Sequence, residues 1–434
     1  MEAADERPRS NRLLRPVGLV YRDETVTLAL LTLSGFLLLT SYYMLKVVRE
    51  VLIVGGAGAE VKAYSGAGQA VLLIAALRVY GLLFDRLDPR RLVGFVYVFF
   101  LLTLALFAVL GRCGLPLAVP FYLWVGVFNV IAISQYWSLI TDLYTQEQGT
   151  RLFGIVGIGG GLGAIVGAAV SSGLLRLVGT YALMLLAGGV LLLSLGVAWT
   201  AHRRETRRTR PPPVPPPARS GNTARLLTSD HYLILVAALT LLLNTVSSLG
   251  EYVLDRTLLQ AAHVAHGAAV SQFVGAFRAR FFAVVNVLGL VLQLLLVSRI
   301  MRRGVGTALL ILPLAASAGY MGIALVPTLS VMAAYKTVEN SLNYSVENTA
   351  RHGLFLVTSR VAKFKAKIAI DGLLPRMGDV VSAALVLLGS LLHLSTRRFV
   401  AINVGLAPLL LAVTFAVARL YRDRSASRAA EAPA

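Results

Sequence analysis

Gly154-Ile-Val-Gly157-Ile-Gly159-Gly160-Gly161-Leu-Gly163-Ala-Ile-Val-Gly167-Ala-Ala-Val-Ser-Ser-Gly173 admits two readings, and the choice between them decides the fold. Its centre, Gly159 to Ala164, invites a nucleotide-binding turn. No strand pattern precedes it, however, and the lysine of a phosphate-binding loop is absent. The same glycines recur at four-residue intervals inside an apolar run, the pattern that lets membrane helices approach closely. The stretch is therefore read as a membrane helix packed tightly on its neighbours.

The rest of the chain agrees. Of 434 residues, 57% are hydrophobic and 14% charged, with a mean hydropathy of +0.73. A soluble domain is about one quarter charged. A bilayer core needs about 20 apolar residues per helix. Segments near 27–48, 62–84, 91–111, 117–140, 152–176 and 180–200 supply them, and so do 231–252, 270–298, 306–326, 328–350, 366–393 and 398–421. The predicted fold class is an all-α polytopic membrane protein of about twelve transmembrane helices in two six-helix, pseudo-symmetric halves, 27–201 and 231–421. Between the halves, 202–230 carries Arg203, Arg204, Arg207, Arg208, Arg210 and the prolines from Pro211 to Pro217, and reads as an extended linker. Residues 1–26 form a basic amino-terminal segment and 422–434 a tail. No cleavage site follows the amino-terminal arginines, so the first helix is expected to stay attached.

The net charge of +20 would suggest nucleic acid in a soluble protein. Here the basic residues lie between apolar runs, at alternate connections, as cytoplasmic loops of membrane proteins do. We therefore expect no nucleic-acid partner, a bacterial inner-membrane location with both termini cytoplasmic, and a lipid bilayer as the main partner. One cysteine, Cys113, and six scattered histidines offer no metal-ligand spacing, so neither metal nor cofactor is expected. No nucleophile, base and donor set is visible either, and an enzyme is not expected.

Charges inside apolar runs are costly and usually face a cavity, a partner or a substrate path. The first run ends in Tyr42, Tyr43, Lys46, Arg49 and Glu50, and the seventh in Glu251, Asp255 and Arg256. The tenth carries Lys336, Glu339, Asn340, Asn343 and Glu347, of which Lys336, Glu339, Asn343 and Glu347 recur every three or four residues on one predicted helix face. Lys46 and Glu50 also share a face, which is equally the geometry of a local ion pair. The aromatic residues Tyr136 and Trp137 near a span end read as interface anchors.

Gly81-Leu-Leu-Phe-Asp85-Arg86-Leu-Asp-Pro-Arg90-Arg91 resembles the cytoplasmic motif of the major facilitator superfamily, which implies a gate latch using Asp85 and Arg86. Two further stretches resemble the ATP/ADP translocases, nucleotide transporters of plastids and intracellular bacteria related to that superfamily. One runs from Tyr136-Trp-Ser through Asp142 and Arg151 to Gly157; the other runs from Arg351 to Arg360 and on through Lys363-Phe-Lys365-Ala-Lys367 to Asp371. Tyr42 through Glu50 is also similar to that family's first-helix end. The resemblance implies a secondary transporter in which Lys46, Glu251, Lys367 and Asp371 meet the substrate and Asp142 and Arg151 join the gate. The chain departs from the exchangers of that family by apolar residues around Val125, where they carry a glutamate, and by Asp379, where they carry a lysine.

Lys46, Arg49, Lys336 and Lys367 suit phosphate recognition, with Glu251 and Glu339 balancing them when the site is empty. The candidate substrate-binding set is thus Lys46, Arg49, Glu251, Arg256, Lys336, Glu339, Asn343, Lys367 and Asp371, and the gating set Asp85, Arg86, Asp142 and Arg151. The expected function is alternating-access transport of an anionic small molecule, a nucleotide first, by a monomer. A proton-coupled carrier of another solute and a non-transporting sensor or scaffold remain open.

Overall fold

A computed structural model describes residues 21, 24–86, 89–144, 146–206, 230–266, 269–358 and 370–431. Among them the apolar runs are helices: α1 Thr25–Ala57, α2 Ala59–Arg86, α3 Pro89–Arg112, α4 Ala118–Leu143, α5 Gln146–Val178 and α6 Thr180–Thr206. After the linker come α7 His231–His266, α8 Val270–Met301, α9 Val305–Leu325, α10 over 329–354, α11 Leu374–Leu391 and α12 Thr396–Glu431. Among the described residues, eleven segments are long and apolar enough to cross a membrane. The exception is α10, whose buried Lys336, Glu339 and Glu347 lower its apolarity without interrupting the helix. α12 runs past the expected span, because the Ala, Arg, Asp and Ser residues that follow Tyr421 tolerate a solvated helix. Residues 207–229 of the expected linker lie outside the described residues.

Two helices change pitch. α8 contains a π-helical turn at Gln293–Val297 and α10 another at Asn343–Glu347. A π turn closes its hydrogen bonds over five residues rather than four, and such turns concentrate at functional sites. In α10 the Asn348 amide accordingly reaches back to the Asn343 carbonyl.

The helices form two compact units. One comprises Met1–Glu50, Ala75–Pro216 and Gly275–Ala283; the other comprises Val51–Ile74, Pro217–Val274 and Val284–Ala434. In the first, the glycine run of α5 lies on the main chain of α1. A Cβ at Gly159 would sit 2.6 Å from the Thr32 carbonyl oxygen, and one at Gly163 or Gly167 would meet the carbonyls of Phe36 or Thr40. The space thus gained is used, since the Thr40 hydroxyl donates to the Gly163 carbonyl at 3.1 Å. Ser41 Oγ donates to Ala187 O of α6 at 2.8 Å, and Tyr136 Oη of α4 donates to Leu31 O at 2.8 Å. The expectation that this glycine face is a close-packed helix contact therefore holds. Phe100, Trp124 and Phe128 fill the α3–α4 seam, with the Trp124 indole donating to Thr103 Oγ1 at 2.9 Å.

In the second unit, Tyr232, Val236 and Leu239 of α7 pack with Leu309 and Leu312 of α9, Val346 and Leu354 of α10 and Leu410 and Val417 of α12. Gly250 of α7 lies against the Tyr320 hydroxyl of α9, and Gly378 of α11 against Asn244 of α7. The outer faces stay apolar: Leu102 and Leu106 on α3, Leu192 and Leu193 on α6, Leu294 and Leu295 on α8, and Leu388 and Leu391 on α11 are exposed. Exposed apolar surface on so many helices is what lipid tails cover.

Candidate functional site

A run of about 20 apolar residues tolerates an ionised side chain only where protein groups replace the water it loses. α10 meets that condition around Lys336, which is fully buried. Its ammonium donates to Glu339 Oε2 at 2.9 Å, to the Ser247 carbonyl at 3.1 Å and to Ser247 Oγ at 3.4 Å, and lies 3.5 Å from Glu251 Oε1. Glu339 also accepts from Tyr320 Oη at 3.4 Å, and Glu251 accepts from Asn340 Nδ2 at 3.0 Å. Glu339 is 4% exposed and Glu251 27%, so the two acids differ in exposure. Lys336, Glu339 and Glu251 are the predicted site residues that this unit brings together.

Beside this network a pocket is lined by Asn244 and Ser247 of α7, Glu339, Asn343 and Arg351 of α10, and the apolar side chains of Leu312, Ala316 and Leu410. Asn343 thus joins Glu339 at one wall. On α11, Asp379 accepts from Ser248 Oγ at 2.6 Å and lies 3.2 Å from Arg376. Arg256 is placed elsewhere, donating to Tyr252 Oη and the Leu394 carbonyl, both at 3.1 Å. Tyr252 donates in turn to Glu60 at 2.9 Å, and Lys62 pairs with the buried Asp255 at 2.8 Å. Asp371 precedes α11, 3.9 Å from His352 Nδ1. Lys367 lies outside the described residues.

In the first unit, Lys46 and Arg49 lie on α1 among aromatic rings. The Lys46 ammonium is 4.1 Å from the centre of the Phe282 ring and 5.0 Å from that of Tyr43, and the Arg49 guanidinium is 4.8 Å from that of Tyr122. Arg49 donates to the buried Glu50 at 2.7 Å, and Glu50 has the fully buried Arg278 of α8 at 3.8 Å. Cation–ring contacts of this kind stabilise a desolvated cation by about 2 kcal/mol. The aromatic setting therefore helps to hold Arg49 and Arg278 at the Glu50 carboxylate, with Lys46 over the rings.

The gating set is dispersed among separate helix ends. Asp85 and Arg86 fall in the last turn of α2, where Arg86 is exposed, and Asp142 falls at the end of α4. Arg151, on the first turns of α5, meets Glu24 at 3.0 Å and stacks 4.7 Å from the Tyr21 ring. Gln148 donates to the same carboxylate at 3.0 Å. Burial pushes the Glu24 carboxyl up, but hydrogen bonds from Arg151, the Tyr21 amide and Gln148 together hold it below its ordinary 4.5. A matching arrangement precedes α7: Arg424 donates to Asp230 at 2.7 Å and stacks 4.7 Å from the Tyr232 ring. The Arg424 hydrogen bond holds the Asp230 carboxyl below 3.8.

Sequence reasoning does not single out Ser247, Tyr320, Arg278, Arg351 or Glu24. Arg278 carries a signal, a cation inside an apolar run, as does Arg351 one turn beyond Glu347. Ser247 and Tyr320 carry none, being ordinary membrane-helix residues until α7, α9 and α10 converge.

Among the described residues, the helices with charges buried inside them match a known architecture. The family model of the Major Facilitator Superfamily matches residues 138–338. A bacterial homologue of the human lysosomal transporter Spinster superposes with a TM-score of 0.60 at 15% identity, over 93% of this chain and 98% of that one. The fold is that of the major facilitator transporters. The nucleoside transporter NupG, in a mutant form, gives a TM-score of 0.64 at 15% identity over 90% of this chain and 98% of its own. A POT family transporter in complex with 5-aminolevulinic acid gives 0.63 at 11% identity over 92% and 96%. No curated protein matches the sequence.

Proposed function

We propose that this chain is a secondary transporter that moves an anionic organic solute across a bacterial cytoplasmic membrane by alternating access, with a nucleotide as the first candidate. The observation that carries this reading is the buried Lys336 held by Glu339 and by the partly exposed Glu251. An incoming anion competes with Glu251 for the ammonium, leaving Glu339 as its fixed partner. Glu251 is the more displaceable of the two acids because it stands farther from the ammonium and is the more exposed. Within the first unit, Lys46 and Arg49 have tyrosine rings beside them, a cation-and-ring setting that also suits a phosphate-bearing ring system. Arg376 beside Asp379 and Arg351 in the pocket wall extend the set of anion donors. The resemblance of the Tyr136–Gly157 and Arg351–Asp371 stretches to ATP/ADP translocases supports the nucleotide.

A second reading is a carrier of a non-nucleotide solute. The observation in its favour is Asp379, which accepts from Ser248 where the nucleotide exchangers carry a lysine. Uptake of labelled ATP, ADP and other nucleotides into proteoliposomes, with and without internal nucleotide, separates the two. Uptake stimulated by internal nucleotide supports exchange. Folded protein that takes up no nucleotide overturns that assignment and favours the second reading.

A further inference from the structure

Three carboxylates of α7 and α10 lie near the pocket, and their surroundings differ. Glu339 and Glu251 each have a donor in place: Lys336 and Tyr320 for the first, Lys336 and Asn340 for the second. Glu347 is 1% exposed, and among the described residues neither of its oxygens has a hydrogen-bond partner. A buried ionised carboxylate with no protein donor is among the most costly groups a protein interior can hold. A proton removes the charge at once.

The neighbours leave few other ways to satisfy it. Glu347 closes the π turn Asn343–Glu347, which packs against α9 and against the π turn of α8. The α8 turn, Gln293–Val297, carries no titratable group. α9 carries one, Tyr320, whose hydroxyl is directed to Glu339 and to the Val246 carbonyl. Arg302 and Arg303, at the α8–α9 turn, are exposed. On its own helix the charged neighbour is Arg351, whose Nε is buried and has no hydrogen-bond partner among the described residues. An Arg four residues on is within reach of a carboxylate, yet the two form no ion pair here. The π turn accounts for the separation of roles. It widens the helix by about one residue, so Glu347 leaves the face it would share with Glu339 and Asn343. Those two line the pocket with Arg351, and Glu347 does not.

We propose that Glu347 is a proton-binding site and that its charge controls Arg351. With the proton on, Glu347 is neutral and Arg351 stands in the pocket wall as a donor to solute. With the proton released to water, the carboxylate requires a counter-charge, and the Arg351 guanidinium turns from the pocket to meet it. Proton and solute thereby compete for one arginine through a single side-chain movement. This rests on the transport reading for its physiological use, but the proton site itself is observable without any solute.

The test is infrared difference spectroscopy of the full-length protein in lipid, titrated from acid to alkaline pH with no added solute. The expected result is a protonated-carboxylic-acid carbonyl band that disappears as pH rises and is missing in Glu347→Gln. In Glu347→Asp, which keeps the acid if the Gln variant fails to fold, the band persists at a displaced frequency. Glu251→Gln and Glu339→Gln leave it in place. A band unchanged in Glu347→Gln, a band abolished by Glu251→Gln or Glu339→Gln instead, or a Glu347 signal that never titrates overturns the proposal. Failure of nucleotide uptake leaves this spectrum unaffected, so the two readings fail separately.

Discussion

The Lys336 ammonium and the Glu339 carboxylate lie 2.9 Å apart, three residues apart on α10, and both are buried. Removing one partner leaves the other charged and dry. Lys336→Met should destabilise the protein by about 3–5 kcal/mol, the usual effect of breaking a buried pair, and abolish uptake. The double variant Lys336→Met with Glu339→Gln should regain part of that stability while transport stays lost. Thermal unfolding of the purified variants checks this, and strictly additive losses would show that the two groups are not coupled.

Gly163 touches the α1 main chain, which has no flexible end to move aside. Gly163→Ala should cost about 1–3 kcal/mol through forced separation of helices, whereas Gly173→Ala, where nothing stands within 4 Å, should be neutral or slightly stabilising. Comparing the melting temperatures of the two variants decides it; equal effects would refute the packing argument.

Lys62 and Asp255 pair at 2.8 Å, with Asp255 1% exposed. Asp255→Asn should destabilise, and the charge swap Lys62→Asp with Asp255→Lys should recover part of the loss. A double-mutant cycle should return a coupling of about 0.5–3 kcal/mol. A coupling indistinguishable from zero would make the contact incidental.

Glu24 and Asp230 are held below their ordinary values of 4.5 and 3.8. A carboxyl lowered in the folded state contributes stability that is fully present above its unfolded value and is lost as pH falls through the folded one. Unfolding measured against pH should therefore show the wild type losing stability below about pH 4.5, while Glu24→Gln loses less over the same window. The Asp230 contribution should be lost at still lower pH and be the smaller, because its pair with Arg424 is about a third exposed and screened by solvent. Parallel curves for wild type and Glu24→Gln would remove Arg151 from any latch role.

Much of this protein is determined by local sequence. Apolar runs of bilayer length become helices because no water is there to satisfy an open main chain, so the ends of α3 and α9 fall close to where hydropathy places them. The four-residue glycine repeat of α5 names its own packing face. The charges at Lys336, Glu339 and Glu251 announce themselves, since an apolar run does not carry such residues without partners. What those partners are is settled only in three dimensions. Ser247 and Tyr320 are indistinguishable from other membrane-helix residues until α7 and α9 set them beside α10, and Glu24 gains meaning only because Arg151, more than a hundred residues away, folds onto it. The spacing of 339, 343 and 347 predicts one continuous face. The π turn breaks that face, because a single extra residue in one helical turn depends on how α8 and α9 pack against it and leaves no mark in the sequence.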